Sequence, residues 1–242
     1  MRFMKTALQA IVRFALPPRC SGCGQIVADD HQLCGNCWQS LQFLTDPGCP
    51  QCGVPVALAD QICAPCLANP PDHDGVRAAV VYGNVARTIA LRFKHGGRTG
   101  LAKLIAEMLI RHVDEKDAIL IPVPLHRRRI WARGFNQSAL IAQRLAQISP
   151  NSVRCDVLTR ERPTPLLRGL GAKARAAAVR GVFGINPLKQ PQLAGRTIYL
   201  VDDVYTSGAT ANACAKRLKR AGASRVVVLC WARVLRSGGE QD

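Results

Sequence analysis

Two adjacent acids near the C-terminal end of the chain have the residue types and spacing of a sugar-phosphate site. Asp202 and Asp203 follow an apolar run, and a loop of small hydroxyl residues and glycine leads from them into a predicted helix. Loop amides and a helix N-terminus offer unused N–H groups and positive dipole to a phosphate. Two acids at a strand end can accept hydrogen bonds from ribose hydroxyls or hold Mg²⁺ through water. The predicted site consists of Asp202, Asp203, Val204, Tyr205, Thr206, Ser207, Gly208, Ala209 and Thr210. The alternative is an ordinary loop whose acids cap the next helix.

A second phosphate-binding position is predicted after another apolar run. Ala118–Pro124 leads into the basic segment Arg127–Arg129 and then to Arg133 and Gly134. Guanidinium groups suit phosphate oxygens because they donate two parallel hydrogen bonds. We assign the binding role to the loop that contains Arg133 and Gly134, with Arg127–Arg129 contributing positive field. The alternative is a solvated basic turn.

Eight of the eleven cysteines form four Cys-x-x-Cys pairs before residue 70, and the second two pairs repeat the first two at a constant offset of 29 residues. Each pair has the spacing of a zinc knuckle, and two knuckles complete a tetrahedral site. The predicted ligands are Cys20, Cys23, Cys34 and Cys37 for one Zn²⁺, and Cys49, Cys52, Cys63 and Cys66 for the other. Pairing across the two halves is the open alternative, and a redox role is disfavoured by the duplicated register.

The remaining sequence predicts the elements that position these residues. Apolar runs alternate with helical patterns from Gly75 onward, which indicates βαβ units and a mostly parallel sheet with helices on both faces. Ligands bind at the carboxyl ends of the strands in such sheets. The segment Asn69–Asp72 is typical of a linker. We therefore expect an N-terminal helix and double zinc-binding domain over residues 1–70, and an α/β domain over residues 71–242.

Charge is distributed unevenly over these two parts. The chain carries a net charge of +17, and residues 1–70 contain four basic and four acidic residues, so the excess lies in the larger part. A positive field of this size attracts polyanions such as nucleic acid or phosphorylated metabolites. Eight thiolates with two Zn²⁺ would instead make the first part acidic, so we expect it to dock on its basic neighbour or to bind a protein.

The N-terminal segment 1–16 is too short to span a membrane and lacks a signal-peptide cleavage site. We expect an amphipathic helix that packs on the protein, no membrane span and a cytoplasmic location, where paired cysteines stay reduced and bind metal.

The motifs resemble those of known proteins. Ile198–Thr210 resembles the signature of type I phosphoribosyltransferases that binds phosphoribosyl pyrophosphate (PRPP) with Mg²⁺. That signature follows an N-terminal cysteine array, Leu91–Gly96, Ile121–Arg129 and Arg133–Gln137, and this order resembles the ComF/GntX family of phosphoribosyltransferase-like proteins. The resemblance implies a role in natural competence, contact with single-stranded DNA, protein partners in the DNA-uptake machinery, and a pyrophosphate loop at Arg133 and Gly134.

Catalysis is less clearly implied. Asp202 and Asp203 would be the catalytic residues of a transferase, with Asp202 beneath the ribose, where it would stabilise developing positive charge. The basic segment between Arg160 and Phe183, which corresponds to the mobile loop of such enzymes, departs from the family pattern, and no residue selects an acceptor. We favour a PRPP-binding DNA-uptake factor. The alternatives are an active phosphoribosyltransferase of nucleotide salvage or synthesis and a zinc-dependent adaptor regulated by PRPP.

Overall fold

The computed structural model describes residues 15–164 and 171–235. The strands are β1 (Val76–Val81), β2 (Ile119–Pro122), β3 (Ser152–Val153), β4 (Leu158–Arg160), β5 (Phe183–Ile185), β6 (Thr197–Tyr205) and β7 (Arg225–Arg233). The α-helices are α1 (Gly35–Gln39), α2 (Ala64–Ala68), α3 (Asn84–His95), α4 (Leu101–Leu109), α5 (Arg127–Arg133), α6 (Gln137–Ile148), α7 (Ala172–Ala178) and α8 (Ala209–Arg220). Short 3₁₀ turns cover Ile110–His112 and Pro187–Leu193. The N-terminal helix predicted over residues 1–16 falls almost wholly outside the described residues.

A parallel sheet of five strands forms the centre of the larger part, in the order β1-β7-β6-β2-β3. Its three inner strands, β7, β6 and β2, are buried on both faces. In β6, for example, Tyr199 and Val201 belong to one apolar core while Ile198 and Leu200 belong to the other. Helices α3, α4 and α6 supply the first core, and α8 supplies the second. The predicted mostly parallel sheet covered by helices on both faces is therefore confirmed.

Several predicted boundaries were wrong. Strand β6 continues to Tyr205, so the two acids lie within the strand and the loop shrinks to residues 206–208. The segment Arg127–Arg133 is helix α5, which ends at Gly134 in the left-handed conformation (φ 85°), where the sequence suggested a loop. Between Arg160 and Phe183, antiparallel pairing of β4 with β5 and helix α7 were not predicted.

The two cysteine-rich halves repeat each other in backbone detail as well as in sequence. An isolated antiparallel bridge joins Arg19 to Ile26, and its counterpart joins Gly48 to Pro55. Matching hydrogen bonds run from the Gly24 N–H to the Cys20 carbonyl (3.0 Å) and from the Gly53 N–H to the Cys49 carbonyl (2.7 Å). The 29-residue offset is thus a structural duplication, in which each half supplies a complete set of four cysteines.

The cysteine-rich part packs directly on the sheet. Phe43 forms a bridge with Val80 of β1, the Val81 N–H donates to the Gln42 carbonyl (2.8 Å), and Leu41 is buried in the core. Two cations of the larger part also contact it. Arg92 donates to the Ser21 carbonyl (2.8 Å), and Arg233 donates to the Cys52 sulfur (3.3 Å).

The segment expected to be a linker is held by the larger part. The Asp72 N–H donates to the Asn212 side chain (3.2 Å), and Asp74 lies 2.6 Å from the Lys219 ammonium. Asp74 also accepts from the Val226 N–H (2.8 Å). The predicted boundary at residue 70 remains a prediction, but the chain that follows it is fixed to α8 and β7.

Candidate functional site

The turn between β6 and α8 presents unused backbone N–H groups. Among the described residues, the first backbone hydrogen bond of α8 runs from the Asn212 N–H to the Gly208 carbonyl (2.8 Å), and no side chain caps the helix. The N–H groups of residues 209–211 are therefore available to an anion, and the helix dipole adds positive potential there. Asn212 is the first residue of α8 whose amide is satisfied by the helix itself.

Gly208 is required at this turn for two reasons. Its φ of 78° lies in the left-handed region that residues with a side chain rarely adopt. A Cβ placed there would also lie 2.3 Å from the Tyr205 hydroxyl oxygen. The Tyr205 ring is buried directly beneath the turn, so glycine allows the turn to fold tightly over that ring.

Asp202 is a half-buried carboxylate with one hydrogen-bonded oxygen. Its Oδ1 accepts from the Ser138 hydroxyl (3.1 Å) and from the Asp203 N–H (2.9 Å). Burial and the neighbouring Asp203 charge raise the pKa of Asp202 to about 7. No described residue donates to Oδ2, and Asp202 lines the cavity next to the turn. This oxygen can accept a hydrogen bond from a ribose hydroxyl or from water in the shell of Mg²⁺, so the donor set suits that ion.

Asp203 is held by a residue that the sequence reasoning did not assign. The Lys94 ammonium at the end of α3 lies 2.5 Å from Asp203 Oδ2. Burial opposes the charge on Lys94, but the Asp203 and Asp202 carboxylates outweigh it and raise the pKa of Lys94. Lys94 lies in the Leu91–Gly96 motif, and that motif was the sequence signal that could have identified Lys94 as a site residue.

A cavity of about 330 Å³ lies over the turn. It brings together Asp202 and most of the predicted 202–210 stretch, and it adds Lys94 and Arg175. Its walls are formed by Lys94, Arg175, Asp202, Val204, Tyr205, Thr206, Ser207, Gly208, Ala209, Thr210 and Ala211. Arg175 belongs to α7, in the basic segment whose role the sequence left open.

Arg133 and Gly134 do not line this cavity, although the sequence predicted that their loop binds phosphate. Arg133 lies close enough to Asp203 for the carboxylate to favour its charge, while burial and Arg129 lower its pKa. Burial and the charge of Arg129 likewise lower the pKa of Arg160 on β4. The Asp202 carboxylate acts in the opposite direction on that pKa. Arg133 of α5 and Arg160 of β4 thus lie near the acid pair.

Tyr205 connects this turn to the second cysteine cluster. Its hydroxyl lies 3.0 Å from His73 Nε2, and its ring lies 5.1 Å from the Arg233 guanidinium. Arg233 is 8% exposed and donates to Cys52. Burial lowers the pKa of His73 to about 4, so this imidazole is neutral at pH 7. Packed side chains therefore run continuously from a cysteine ligand to the floor of the turn.

The cysteines form two metal centres, each within one half of the duplication. In each group the four sulfur atoms lie within 4.8 Å of one another, and none of the described cysteines is in a disulfide. The groups are Cys20, Cys23, Cys34 and Cys37, and Cys49, Cys52, Cys63 and Cys66. Tetrahedral zinc with Zn–S bonds of about 2.3 Å would separate sulfurs by about 3.8 Å. The Cys23–Cys34 and Cys52–Cys63 sulfur distances are both 3.6 Å, so the arrangement suits Zn²⁺.

In each centre, backbone N–H groups stabilise one cysteine as a thiolate. The Cys34 N–H points at the Cys20 sulfur (3.3 Å), and the Cys63 N–H points at the Cys49 sulfur (3.4 Å). Burial opposes ionisation of these two thiols, but the backbone donors prevail and lower the pKa of Cys20 to about 6 and that of Cys49 to about 7. Thiolate is the form that binds zinc.

Comparisons with known proteins agree with this organisation. The sequence model described as double zinc ribbon domain matches residues 11–67. Competence protein F of Haemophilus influenzae is 29% identical over 225 residues, which cover 88% of this chain and 90% of that protein. The DNA utilization protein YhgH of Escherichia coli is 30% identical over 178 residues, 70% of this chain and 77% of that protein.

One solved structure to which the chain is similar is that of the allosteric regulatory enzyme of purine biosynthesis. It is 18% identical to this chain, with a TM-score of 0.41, and the match covers 58% of this chain and 30% of that enzyme. Among the described residues, no helix combines the length and apolar character needed to cross a lipid bilayer.

Proposed function

The chain belongs to the family that includes competence protein F and the DNA utilization protein YhgH, and on that premise we propose that it binds PRPP with Mg²⁺ and handles single-stranded DNA in the cytoplasm. The turn at residues 206–208 is the proposed phosphate site. The observation that carries the proposal is the uncapped start of α8, with N–H groups of residues 209–211 facing a cavity beside the acid pair.

Each part of the ligand has a chemically matched partner in the cavity. The amides of the turn, with the hydroxyls of Thr206, Ser207 and Thr210, would donate to the 5′-phosphate. Asp202 Oδ2 would accept from a ribose hydroxyl. The pyrophosphate carries the greatest charge and would lie towards Lys94 and Arg175, the cations that line the cavity. Mg²⁺, when bound, would supply further neutralisation of that charge.

The charge at Asp202 links binding to pH. Because its pKa is raised to about 7, the carboxylate is only partly ionised near neutrality. Bound cations would stabilise its charged form, so PRPP with Mg²⁺ should bind more tightly at pH 8 than at pH 6. Lys94 and the arginines near the acid pair prevent two like charges from facing each other without compensation.

A role with DNA is supported by the names of the relatives and by the charge of this chain. A net charge of +17 gives a long-range attraction to the phosphate backbone. The zinc centres would stabilise the N-terminal part, which contains little apolar core of its own apart from its cysteines. Protein partners of a DNA-uptake machinery belong to the same proposal.

Calorimetric titration of the zinc-loaded chain with PRPP and Mg²⁺ tests the proposal. We expect the double variant Asp202→Asn with Asp203→Asn to lose binding and to remain folded. The matched control is Asp29→Asn with Asp30→Asn, a pair of adjacent exposed acids in the N-terminal part, which should bind as the parent does. Unchanged affinity in the Asp202 and Asp203 variant would reject the assignment.

A further inference from the structure

We propose that the outer face of α5 is a platform on which an unpaired base of single-stranded nucleic acid stacks. This surface, the α5 platform, consists of His126, Arg127, Arg128, Trp131 and Pro163. The inference builds on the proposed function, because it assigns the contact with single-stranded DNA to particular residues. It is independent of whether PRPP binds.

Trp131 is the central observation. Its side chain is 90% exposed, whereas Trp38 is 48% exposed and Trp231 is fully buried. A tryptophan left almost wholly in water contributes little to folding, since burial of its ring is what stabilises a protein. An indole ring with both faces accessible is instead suited to stacking on a flat aromatic partner, and every nucleobase presents such a face.

Helix α5 separates its charges between two faces. Arg129 points inward, where it donates to the Thr164 carbonyl (3.3 Å), and Arg133 lies near Asp203. Arg127 and Arg128 are exposed and form no ion pair with any described residue. Residues four apart on a helix share a face, so Arg127 lies alongside Trp131.

The exposed face borders an open recess large enough for a nucleotide. The recess has a volume of about 810 Å³ and is lined by His126, Arg127, Arg128, Trp131, Ala132 and Pro163. No carboxylate is among these residues. Guanidinium groups next to an exposed ring provide the two contacts that a single strand needs, namely donors for the phosphates and a surface for a base.

Charge and shape favour nucleic acid over the other partners that accept basic surfaces. Helix α5 has seven residues, none of them buried, and its large exposed apolar side chains are Trp131 and Ile130, the latter 37% exposed. This apolar surface is too small for the extended stripe with which amphipathic helices enter a lipid surface. An acidic peptide could pair with the arginines but would leave the indole ring without a matching flat partner.

The platform is continuous with the site at the acid pair. Arg133 lies near Asp203 from the opposite face of the same helix, so α5 would stand between a strand bound on Trp131 and the acid pair. Helix α5 thereby presents Arg127 and Arg128 to the nucleic acid, while Arg133 lies near Asp203.

Binding of labelled oligonucleotides to the full zinc-loaded chain tests the platform. The probes are an oligothymidine and an abasic strand of equal length and charge, measured by fluorescence anisotropy. The unmodified chain should prefer the oligothymidine. Trp131→Ala should weaken oligothymidine binding by about tenfold and leave abasic binding unchanged, while Trp131→Phe should retain most of the affinity.

Substitution of the two exposed arginines should affect the two oligonucleotides differently from substitution of Trp131. Arg127→Gln with Arg128→Gln should weaken binding of both strands and reduce the slope of log affinity against log salt by about two. The control is Lys216→Gln with Arg220→Gln, two exposed cations four residues apart on α8, which removes the same charge at a distance. A loss as large in that control would overturn the platform.

Three outcomes separate the platform from the broader proposal. Equal loss of both strands in Trp131→Ala, or no loss of either, would overturn the stacking role while leaving a DNA role elsewhere intact. Binding to vesicles of anionic lipid that Trp131→Ala abolishes, with oligothymidine binding unchanged, would overturn nucleic acid as the partner. Retained calorimetric binding of PRPP by Trp131→Ala is expected, because Trp131 does not line the PRPP cavity.

Discussion

The Lys94 ammonium lies 2.5 Å from the Asp203 carboxylate, and Lys94 also lines the cavity that the β6–α8 turn borders. The Lys94 side chain is 28% exposed and that of Asp203 13%, so the pair is largely shielded from water. An ion pair in that position lets two adjacent acids coexist in the fold, and its cation also faces the cavity. Lys94 therefore serves both the protein and an anionic ligand.

Lys94→Met should weaken PRPP binding by roughly 10- to 100-fold, because it removes a cation from the cavity and leaves Asp203 uncompensated. Calorimetry with PRPP and Mg²⁺ measures the change. Lys103→Met is the matched control, since Lys103 is an exposed lysine of α4 paired loosely with Glu107 at 3.9 Å. Similar affinities for the two variants would show that Lys94 does not face the ligand.

Gly208→Ala should destabilise the chain by about 2 kcal/mol and abolish PRPP binding, because alanine disfavours φ of 78° and its Cβ would strike Tyr205. Thermal unfolding and calorimetry measure the two effects. Gly83→Ala is the control, since Gly83 has φ −95° and an added Cβ there meets no atom within 4 Å. It should leave both quantities unchanged.

Asp202→Asn should stabilise the ligand-free chain at pH 8. The folded pKa of Asp202 is about 7, above its ordinary value of 3.8, so the charged form is disfavoured on folding. Stability is consequently lost as pH rises between these two values, and the neutral amide avoids that loss. We expect a gain on the order of 2 kcal/mol at pH 8, measured by thermal unfolding with EDTA present. The gain should shrink as the pH approaches 4. Asp156→Asn, at an exposed acid whose pKa Lys189 lowers, should give no gain at pH 8.

Arg233→Met should loosen zinc at the second centre by about 10- to 100-fold, the usual effect of losing a partner that contacts a metal ligand. Arg233 donates to the Cys52 sulfur, while its Nε and Nη1 atoms are buried without a partner among the described residues. Methionine should therefore change overall stability less than it changes zinc affinity. Zinc release to a colorimetric chelator should become faster for one of the two ions and stay unchanged for the other. Arg220→Met, at an exposed arginine of α8, should alter neither.

The parallel sheet could be predicted because its strands are short apolar runs buried on both faces. The same holds for the metal centres, since two Cys-x-x-Cys pairs in each half provide the four sulfur ligands that zinc requires. Strand β6 was predicted too short because aspartate disfavours strands. Asp202 nevertheless pairs in register with β7, where it lies opposite Cys230.

The parts of the site that could not be predicted depend on distant contacts. Helix α5 buries none of its residues, so it has no apolar stripe to reveal it, although Gly134 is typical of a helix end. The Lys94–Asp203 pair joins two elements far apart in sequence. A motif could indicate that Lys94 has a functional role, but only the packing of α3 beside β6 shows that its ammonium pairs with Asp203.

The two halves of the cysteine duplication have unequal freedom to change. Gly24 and Gly53 occupy equivalent positions and share the left-handed conformation (φ 89° and 68°), but a Cβ at Gly24 meets no atom within 4 Å. A Cβ at Gly53 would lie 2.5 Å from the Val76 carbonyl oxygen. Asparagine, which tolerates this conformation, could therefore replace the first glycine but not the second. Two positions that are equivalent by duplication therefore tolerate different residues, because the first turn faces open space and the second lies against the start of β1.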